Sequence, residues 1–269
     1  MKIITLLENN SSKKELKSSH GLSLYIEVGN KKILFDIGSN NNYKKNAKIL
    51  GIDLNEVDTL IISHGHYDHG KKLRQFVRFN KNAEIYLSKY AFEKHTALIK
   101  GLHFDIGIKE PKKINRLHFV KGKIPLFEGV FLTSLVPYEE TIMSDKTLYS
   151  KNKGKREIDT FHHEIYLVIQ EKENIVLFSA CSHKGIDNII TTIEKDNQIK
   201  FTHVLGGFHF IRYNEDIKEQ TDFITSLGKK FKNTDTTYFA CHCTGDTAFH
   251  LLNDTMDNLK SLHTGDVVV

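Results

Sequence analysis

Ser63-His64-Gly65-His66-Tyr67-Asp68-His69-Gly70 is the stretch that decides how this 269-residue chain is read. Three imidazoles and one carboxylate fall within six residues; the apolar run Thr59-Leu60-Ile61-Ile62 leads into them and a glycine closes them. Imidazoles and carboxylates are costly to bury unless something satisfies them. A metal ion, or a pair of ions, satisfies all four at once, and His nitrogen with Asp oxygen suits zinc, iron or manganese. A His-x-His pair alone arises by chance. The full His-x-His-x-Asp-His behind a predicted strand makes His64, His66, Asp68 and His69 candidate metal ligands. The bland alternative is a polar surface loop that happens to be rich in His.

Working outward from the loop, Asp58–Ile62 reads as the short buried strand that delivers it, and Lys71–Phe79 as a helix after it. Upstream, Lys2–Leu7 is a strand, and Leu22–Val28 and Lys32–Asp36 flank Gly29-Asn30 as a hairpin. Asn42–Leu50 is helical and stops at Gly51. Downstream, Glu84–Leu87 is a strand, Ala91–Ile99 a helix, and Ile114–Val136 several short strands broken by Gly122, Pro125 and Gly129. The second half repeats one phrase three times: an apolar strand, a small-residue turn carrying His, then a helix. The instances are Ile175–His183, Phe201–His209 and Thr237–Gly245, with helices over Ile186–Lys195, Glu215–Leu227 and Ala248–Leu262. Ligand sites in α/β layers gather where strands turn into helices, so three such His point with the first cluster to one convergent site. No solenoid repeat, linker or change of composition interrupts the chain, and one domain over 1–269 is the economical reading. Residues 138–161, rich in charge, read as a solvated loop or as a lid that brings positive charge to a substrate. The basic run Lys151–Arg156 is too short to argue for nucleic acid.

Bulk properties narrow the class. The net charge of +5 comes from lysines scattered along the chain, which makes a solvated surface the default and attraction for an anionic substrate the functional option. The three cysteines, Cys181, Cys241 and Cys243, all fall beside suspected site residues, unlike a disulfide framework, and fit a reducing cytoplasm. The N-terminus turns polar too soon for a signal peptide, and no apolar run approaches the ~20 residues of a membrane span.

A divalent metal makes a nucleophile at neutral pH by lowering the pKa of bound water from about 15.7 to about 7, and two metals can hold a hydroxide and the leaving oxygen together. Such a pair needs roughly three protein ligands per ion, so at least two must come from outside the loop. His183, His209 and His242, each in a turn after an apolar strand, are the candidates. Each has a hydrogen-bonded turn His as its alternative, and His209 could instead be the acid that protonates the leaving group. Cys181 could coordinate zinc as a thiolate; otherwise His183 takes over and Cys181 only packs. His162, His163 and Glu164 could bind metal, contact substrate or simply begin a strand, and His20 is a substrate contact or a surface His. Asp68 is also placed to accept a proton from the attacking water.

The His-x-His-x-Asp-His loop resembles the signature of the metallo-β-lactamase-fold superfamily. The resemblance implies an α/β fold, a four-layer αββα sandwich as a single domain, with His64 and His66 on a first metal and Asp68 and His69 on a second. It implies that Asp36, at the end of its strand, props the metal loop by hydrogen bonds. It also marks a departure, because much of the superfamily has a bridging Asp where Ala180-Cys181 stands here. Ser63–Gly70, Cys181-Ser182-His183, Gly206-Gly207-Phe208-His209 and Cys241-His242-Cys243-Thr244-Gly245, in that order, resemble the 7,8-dihydropterin-6-yl-methyl-4-(β-D-ribofuranosyl)aminobenzene 5′-phosphate synthase-like subgroup. That name implies chemistry on a pterin diphosphate, although no residue here identifies a pterin pocket.

The expectation is a cytoplasmic metal-dependent hydrolase with two divalent ions, zinc first and manganese or iron as alternatives. A metal-bound hydroxide attacks an ester or phosphate-ester/diphosphate small molecule. The rivals are a non-haem iron redox enzyme of the same fold, an RNA-processing nuclease, which would need a basic face or arm that the chain does not clearly have, and a metal-binding sensor without turnover.

Overall fold

The computed structural model describes residues 1–112, 114–152 and 154–268; Lys153 of the basic run lies outside them. In chain order the strands and helices are β1 (Lys2–Leu7), β2 (Ser23–Val28), β3 (Lys31–Phe35), α1 (Asn42–Ile49), β4 (Thr59–Ile61), α2 (Tyr67–Gly70), α3 (Leu73–Phe79), β5 (Glu84–Ser88), β6 (His95–Ile99), β7 (Leu102–Asp105) and β8 (Leu117–Val120). They continue as β9 (Lys123–Phe127), β10 (Val130–Thr133), β11 (Leu148–Asn152), β12 (Lys155–Ile158), β13 (Tyr166–Glu171), β14 (Asn174–Ser179), α4 (Ile186–Asn197), β15 (His203–Gly206), α5 (Lys218–Lys232), β16 (Thr237–Ala240), α6 (Asp246–Asn253), β17 (Leu259–Ser261) and β18 (Val267–Val268). The chain forms two compact units. One comprises Met1–Lys121, Lys146–Ile165 and His263–Val269, the other Gly122–Asp145 and Tyr166–Leu262.

In the first unit a seven-stranded sheet has the order β18-β1-β2-β3-β4-β5-β8. The hairpin at Gly29-Asn30 forms as the sequence indicates, with Val28 opposite Lys31 and Gly29 at φ 56°. From β3 to β8 the strands run parallel, so the ends of β3 and β4 deliver Asp36 and the Ser63–Gly70 loop to one edge of the sheet, where α/β ligand sites gather. Leu34, Leu60 and Ile85 pack with Tyr43 and Ala47 of α1 and with Leu73 and Phe76 of α3. Each of the Leu, Ile and Phe side chains, once buried, stabilises the unit by roughly 1.5–3 kcal/mol. A second, smaller sheet of the same unit has the order β12-β11-β6-β7.

The second unit is built on a sheet of order β17-β16-β15-β14-β13-β10-β9. β14, β15, β16 and β17 are parallel. Ile186, Ile189, Ile190 and Ile193 make the apolar stripe of α4, and Ile224, Leu227 and Phe231 that of α5. They pack on Tyr166, Val168, Leu177, Val204 and Tyr238 of the sheet, the i, i+3, i+4 and i+7 spacing expected of helices covering a core.

Two of the expected helices are corrected. Ala91–Ile99 is a short 3-10 turn over Lys89–Phe92 followed by strand β6. Lys100 and Gly101 both have positive φ, 49° and 78°, and close a two-residue hairpin to β7 with Ile99 opposite Leu102; this turn chemistry outweighs the weak helical pattern of the segment. Ala248–Leu262 is helical only as far as Asn253. There the Thr255 hydroxyl donates to the Leu252 carbonyl at 2.8 Å, a side-chain bond that competes with helix continuation, and Leu259–Ser261 becomes a strand beside β16. Within 138–161 the structure places the β11–β12 hairpin, paired through β11 to β6.

Candidate metal centre

In the first unit the loop after β4 draws His64, His66 and His69 together. The ring centroids of His64 lie 4.7 Å from His66 and 4.2 Å from His69, and all three residues are buried. Asp68 Oδ2 is 3.6 Å from His69 Nε2 and 3.1 Å from His20 Nε2, so His20, half exposed, stands at this carboxylate. Gly21 makes that approach possible: a Cβ there would meet the Asp68 carbonyl oxygen at 2.4 Å.

Asp36 is wholly buried and held at φ 62°. One oxygen accepts the Ser63 N–H at 2.8 Å; the other accepts the Ser63 hydroxyl at 2.7 Å and faces His69 Nδ1 at 2.7 Å. These contacts fix the tautomers. His69 donates through Nδ1 to the carboxylate, which leaves the lone pair on Nε2. The Ser63 hydroxyl gives its hydrogen to Asp36, so His64 Nδ1, 2.8 Å away, is the donor of that pair and its lone pair is again on Nε2. Metal-ligating His rings are oriented in this way, by giving the second N–H to a carboxylate or other acceptor. Burial, and after it His163 and His95, push His66 well below its ordinary pKa, toward the neutral form that ligates metal.

In the second unit the ends of the parallel strands β14, β15 and β16 carry Cys181 and His183, His209, and His242 and Cys243 to one edge. Their register sets Ser179 beside Gly206 and Gly206 beside Ala240. The strands approach closely: a Cβ on Gly206, at φ 146°, would lie 1.6 Å from the Ser179 carbonyl oxygen. The ligand atoms of Cys181, His183 and His209 lie within 4.8 Å of one another, as do those of Cys181, His242 and Cys243. His183 and His242 thus fall in different groups that share Cys181. Ser182, His209 and His242 are non-glycine residues at φ 57°, 54° and 52°, and backbone strain of this kind concentrates at functional sites.

Both ring nitrogens of His209 are buried without a hydrogen bond among the described residues, although Nε2 lies 3.5 Å from Asp145 Oδ2, an ion-pair distance. Burial alone would lower this imidazole, but Asp145 and Cys243 beside it raise it to about 10. Burial would likewise raise the Cys243 thiol, and Cys181 and His209 hold it well below its usual value. Donors of this kind, imidazole nitrogen with sulfur here and imidazole nitrogen with carboxylate in the first unit, suit zinc or iron. The residues present therefore fit divalent metal.

A cavity of ≈ 520 Å³ in the second unit has His183, His209, Lys184 and Lys195 among its lining, with Phe208 and Phe210 on its apolar wall. The Lys184 ammonium is buried and donates to the Val136 carbonyl at 2.8 Å.

Three residues went unread in the sequence. His95 lies in a segment read as helix, Asp159 in one read as loop, and Asp145 in the same charged stretch; none belongs to a spaced motif. All three cysteines are buried, and no helix among the described residues is long and apolar enough to cross a membrane.

Comparison with known proteins bears on the family. The chain is 29% identical over 291 residues to the 7,8-dihydropterin-6-methyl-4-(beta-D-ribofuranosyl)-aminobenzene-5'-phosphate synthase of Methanocaldococcus jannaschii, covering 100% of this chain and 96% of that protein. It is 28% identical over 270 residues to an uncharacterized protein of the same organism, covering 99% of each. The crystal structure of Tm1679, a metal-dependent hydrolase of the beta-lactamase superfamily, matches 100% of this chain and 98% of its own with a TM-score of 0.77 at 26% identity. Residues 18–222 match the family Metallo-beta-lactamase superfamily. A match over most of the chain, reaching into both units and containing the His-x-His-x-Asp-His loop, makes this mixed α/β protein a member of the metallo-β-lactamase superfamily.

Proposed function

We propose that the protein is a metal-dependent hydrolase of small anionic molecules, acting on an ester or a phosphate ester or diphosphate. The observation that carries this reading is the Ser63–Gly70 loop, where Asp36 and Ser63 set the Nε2 lone pairs of His64 and His69. In this reading His64, His66, Asp68 and His69 hold metal, His183 and His242 add ligands, and Cys181 supplies a sulfur ligand in place of a carboxylate. Bound divalent ions, zinc first and manganese or iron as alternatives, would activate water and polarise the bond to be broken.

The chain's own residues do the rest. Asp68, with His20 beside it, accepts a proton from the attacking water. His209, on the cavity wall and backed by Asp145, holds the proton that the leaving group takes. Lys184, Lys195 and Lys230 line the cavity together with Glu139, Asp187 and Asp196, and the N-terminus of α4, whose N-cap Gly185 offers no side-chain cap, adds a positive end suited to an anion. Buried thiols fit a reducing compartment such as the cytoplasm.

The full-length relationship to a protein named as a synthase favours a second reading, in which a nucleophile other than water takes the group from which a phosphate-bearing fragment departs. The test is phosphate and diphosphate release from a panel of phosphoesters by zinc- or manganese-loaded protein, with and without an arylamine acceptor. Release without the acceptor supports the hydrolase, and release only with it supports the second reading. No turnover of any ester or phosphoester by fully loaded protein would overturn both.

A further inference from the structure

The geometry points to a positioning role for Asp159 and His163: with His95 they form a clasp that fixes the Gly65 peptide, and through it the direction in which His64 and His66 present their rings. This inference rests on the metal reading of the loop and names residues which that reading does not use.

The clasp is a closed set of contacts within the first unit. Asp159 Oδ1 accepts the Phe161 N–H at 2.7 Å, which holds the tight turn at Phe161 (φ 54°). Asp159 Oδ2 faces His95 Nδ1 and His163 Nε2, each at 3.1 Å. The opposite nitrogen of His163, Nδ1, accepts the Gly65 N–H at 2.9 Å. The Gly65 carbonyl accepts from the Ile108 N–H at 3.2 Å, and the Ser63 carbonyl accepts from the Ile165 N–H at 2.8 Å. Both polar groups of the residue between His64 and His66 are therefore held. A side chain at Gly65 is excluded, because a Cβ would meet the Ala91 carbonyl oxygen at 2.5 Å and His95 Nε2 at 2.7 Å.

The ligand atoms of His66, His95, Asp159 and His163 also lie within 4.8 Å of one another, a spacing that would suit an ion. The hydrogen bonds argue for a clasp instead. The lone pair of His163 is taken by the Gly65 N–H, so its Nε2 carries the hydrogen that Asp159 accepts. His95 faces Asp159 Oδ2 through Nδ1 and the Tyr90 carbonyl through Nε2, the latter at 3.2 Å. His163 offers no lone pair to an ion in this arrangement, and both nitrogens of His95 already have protein partners. The small sheet acquires a purpose from this. β6 begins at His95, and Asp159 follows β12, with its N–H on the Leu148 carbonyl at 2.9 Å, so one sheet supplies two of the three clasp residues. Such supporting groups orient metal ligands, and their loss costs about 10–100-fold in metal affinity.

The experiment uses the full-length protein carrying His163→Ala, His163→Gln or Asp159→Asn. Zinc affinity is measured by chelator competition, zinc stoichiometry by mass spectrometry, and Gly65 amide exchange by NMR with and without zinc. His163→Ala and Asp159→Asn are expected to weaken zinc binding about 10–100-fold at unchanged stoichiometry, and to speed Gly65 exchange at least about tenfold while the core of the unit stays protected. His163→Gln, which keeps an acceptor for Gly65, should recover much of both losses and guards against a fold lost in the Ala variant. Loss of a whole zinc equivalent in His163→Ala, matching His66→Ala, would make His163 a ligand and overturn the proposal. Unchanged affinity and exchange in all three variants would also overturn it. Faster Gly65 exchange in His163→Ala of a protein that binds no zinc would uphold the clasp and remove the metal reading alone.

Discussion

His69 Nδ1 stands 2.7 Å from Asp36 Oδ2, with both side chains fully buried. A carboxylate from the end of one strand thereby sets the tautomer of a ring on the loop after the next. Asp36→Asn keeps a residue type that tolerates the left-handed backbone but removes the charge. It should lower zinc affinity about 10–100-fold with the fold retained. Asp36→Ala leaves buried donors of Ser63 and His69 unmatched and should also cost about 1–3 kcal/mol of stability for each donor stranded. Chelator competition and urea unfolding of the two variants check this; equal zinc affinity in wild type and Asp36→Asn would deny Asp36 its part.

His209→Gln should separate chemistry from metal binding. The residue lines the cavity and is backed by Asp145, and a general acid contributes about 10²–10⁴-fold. The expected result is kcat lowered by about that factor on a substrate with a poor leaving group, with metal content unchanged and a smaller loss on an activated ester. Loss of a metal equivalent in this variant would move His209 into the ligand set.

Gly206→Ala should be among the most damaging single changes in the second unit. A Cβ there would lie 1.6 Å from the Ser179 carbonyl, so β14 and β15 must separate; overpacking and strain together cost about 3 kcal/mol or more. Gly101→Ala has a similarly unusual φ of 78° but nothing within 4 Å and should cost only about 1 kcal/mol. Thermal unfolding of both variants reads the difference, and comparable shifts would contradict it.

Acid should weaken the clasp in a defined direction. Burial alone would raise the Asp159 carboxyl, but the His163 and His95 imidazoles hold it well below the usual carboxylate range. A folded-state pKa below the unfolded value of about 3.9 gives stability that is complete above that value and is lost as pH falls through the folded one. In metal-free protein the stability gap between wild type and Asp159→Asn should therefore be widest above about pH 5 and shrink on acidification. Urea unfolding across that range checks it, and a gap independent of pH would contradict it.

The family and the loop that carries it were legible because His64, His66, Asp68 and His69 sit at a fixed spacing on one segment, and because the apolar run Thr59–Ile62 announces its strand. The three strand-turn-His phrases were legible for the same reason: Cys181, His183, His209 and His242 each follow an apolar strand. The clasp was not. His95 lies 64 residues before Asp159, and only the pairing of β6 with the β11–β12 hairpin brings it to Asp159 and His163. The helix expected over Ala91–Ile99 failed because Lys100-Gly101 makes a hairpin turn whose significance lies in the strand it pairs. Beyond Asn253 the weak helical pattern gave way to side-chain turn bonds and to sheet pairing with β16.

Metal content of protein purified without chelator, read by inductively coupled plasma mass spectrometry for wild type, His66→Ala, Cys181→Ala and His183→Ala, is the most direct test. About two zinc, manganese or iron ions per chain, with less in the His66 and His183 variants, is the predicted result. No stoichiometric metal in any preparation, even after reconstitution, would contradict a metal-dependent hydrolase built on the His64–His69 loop.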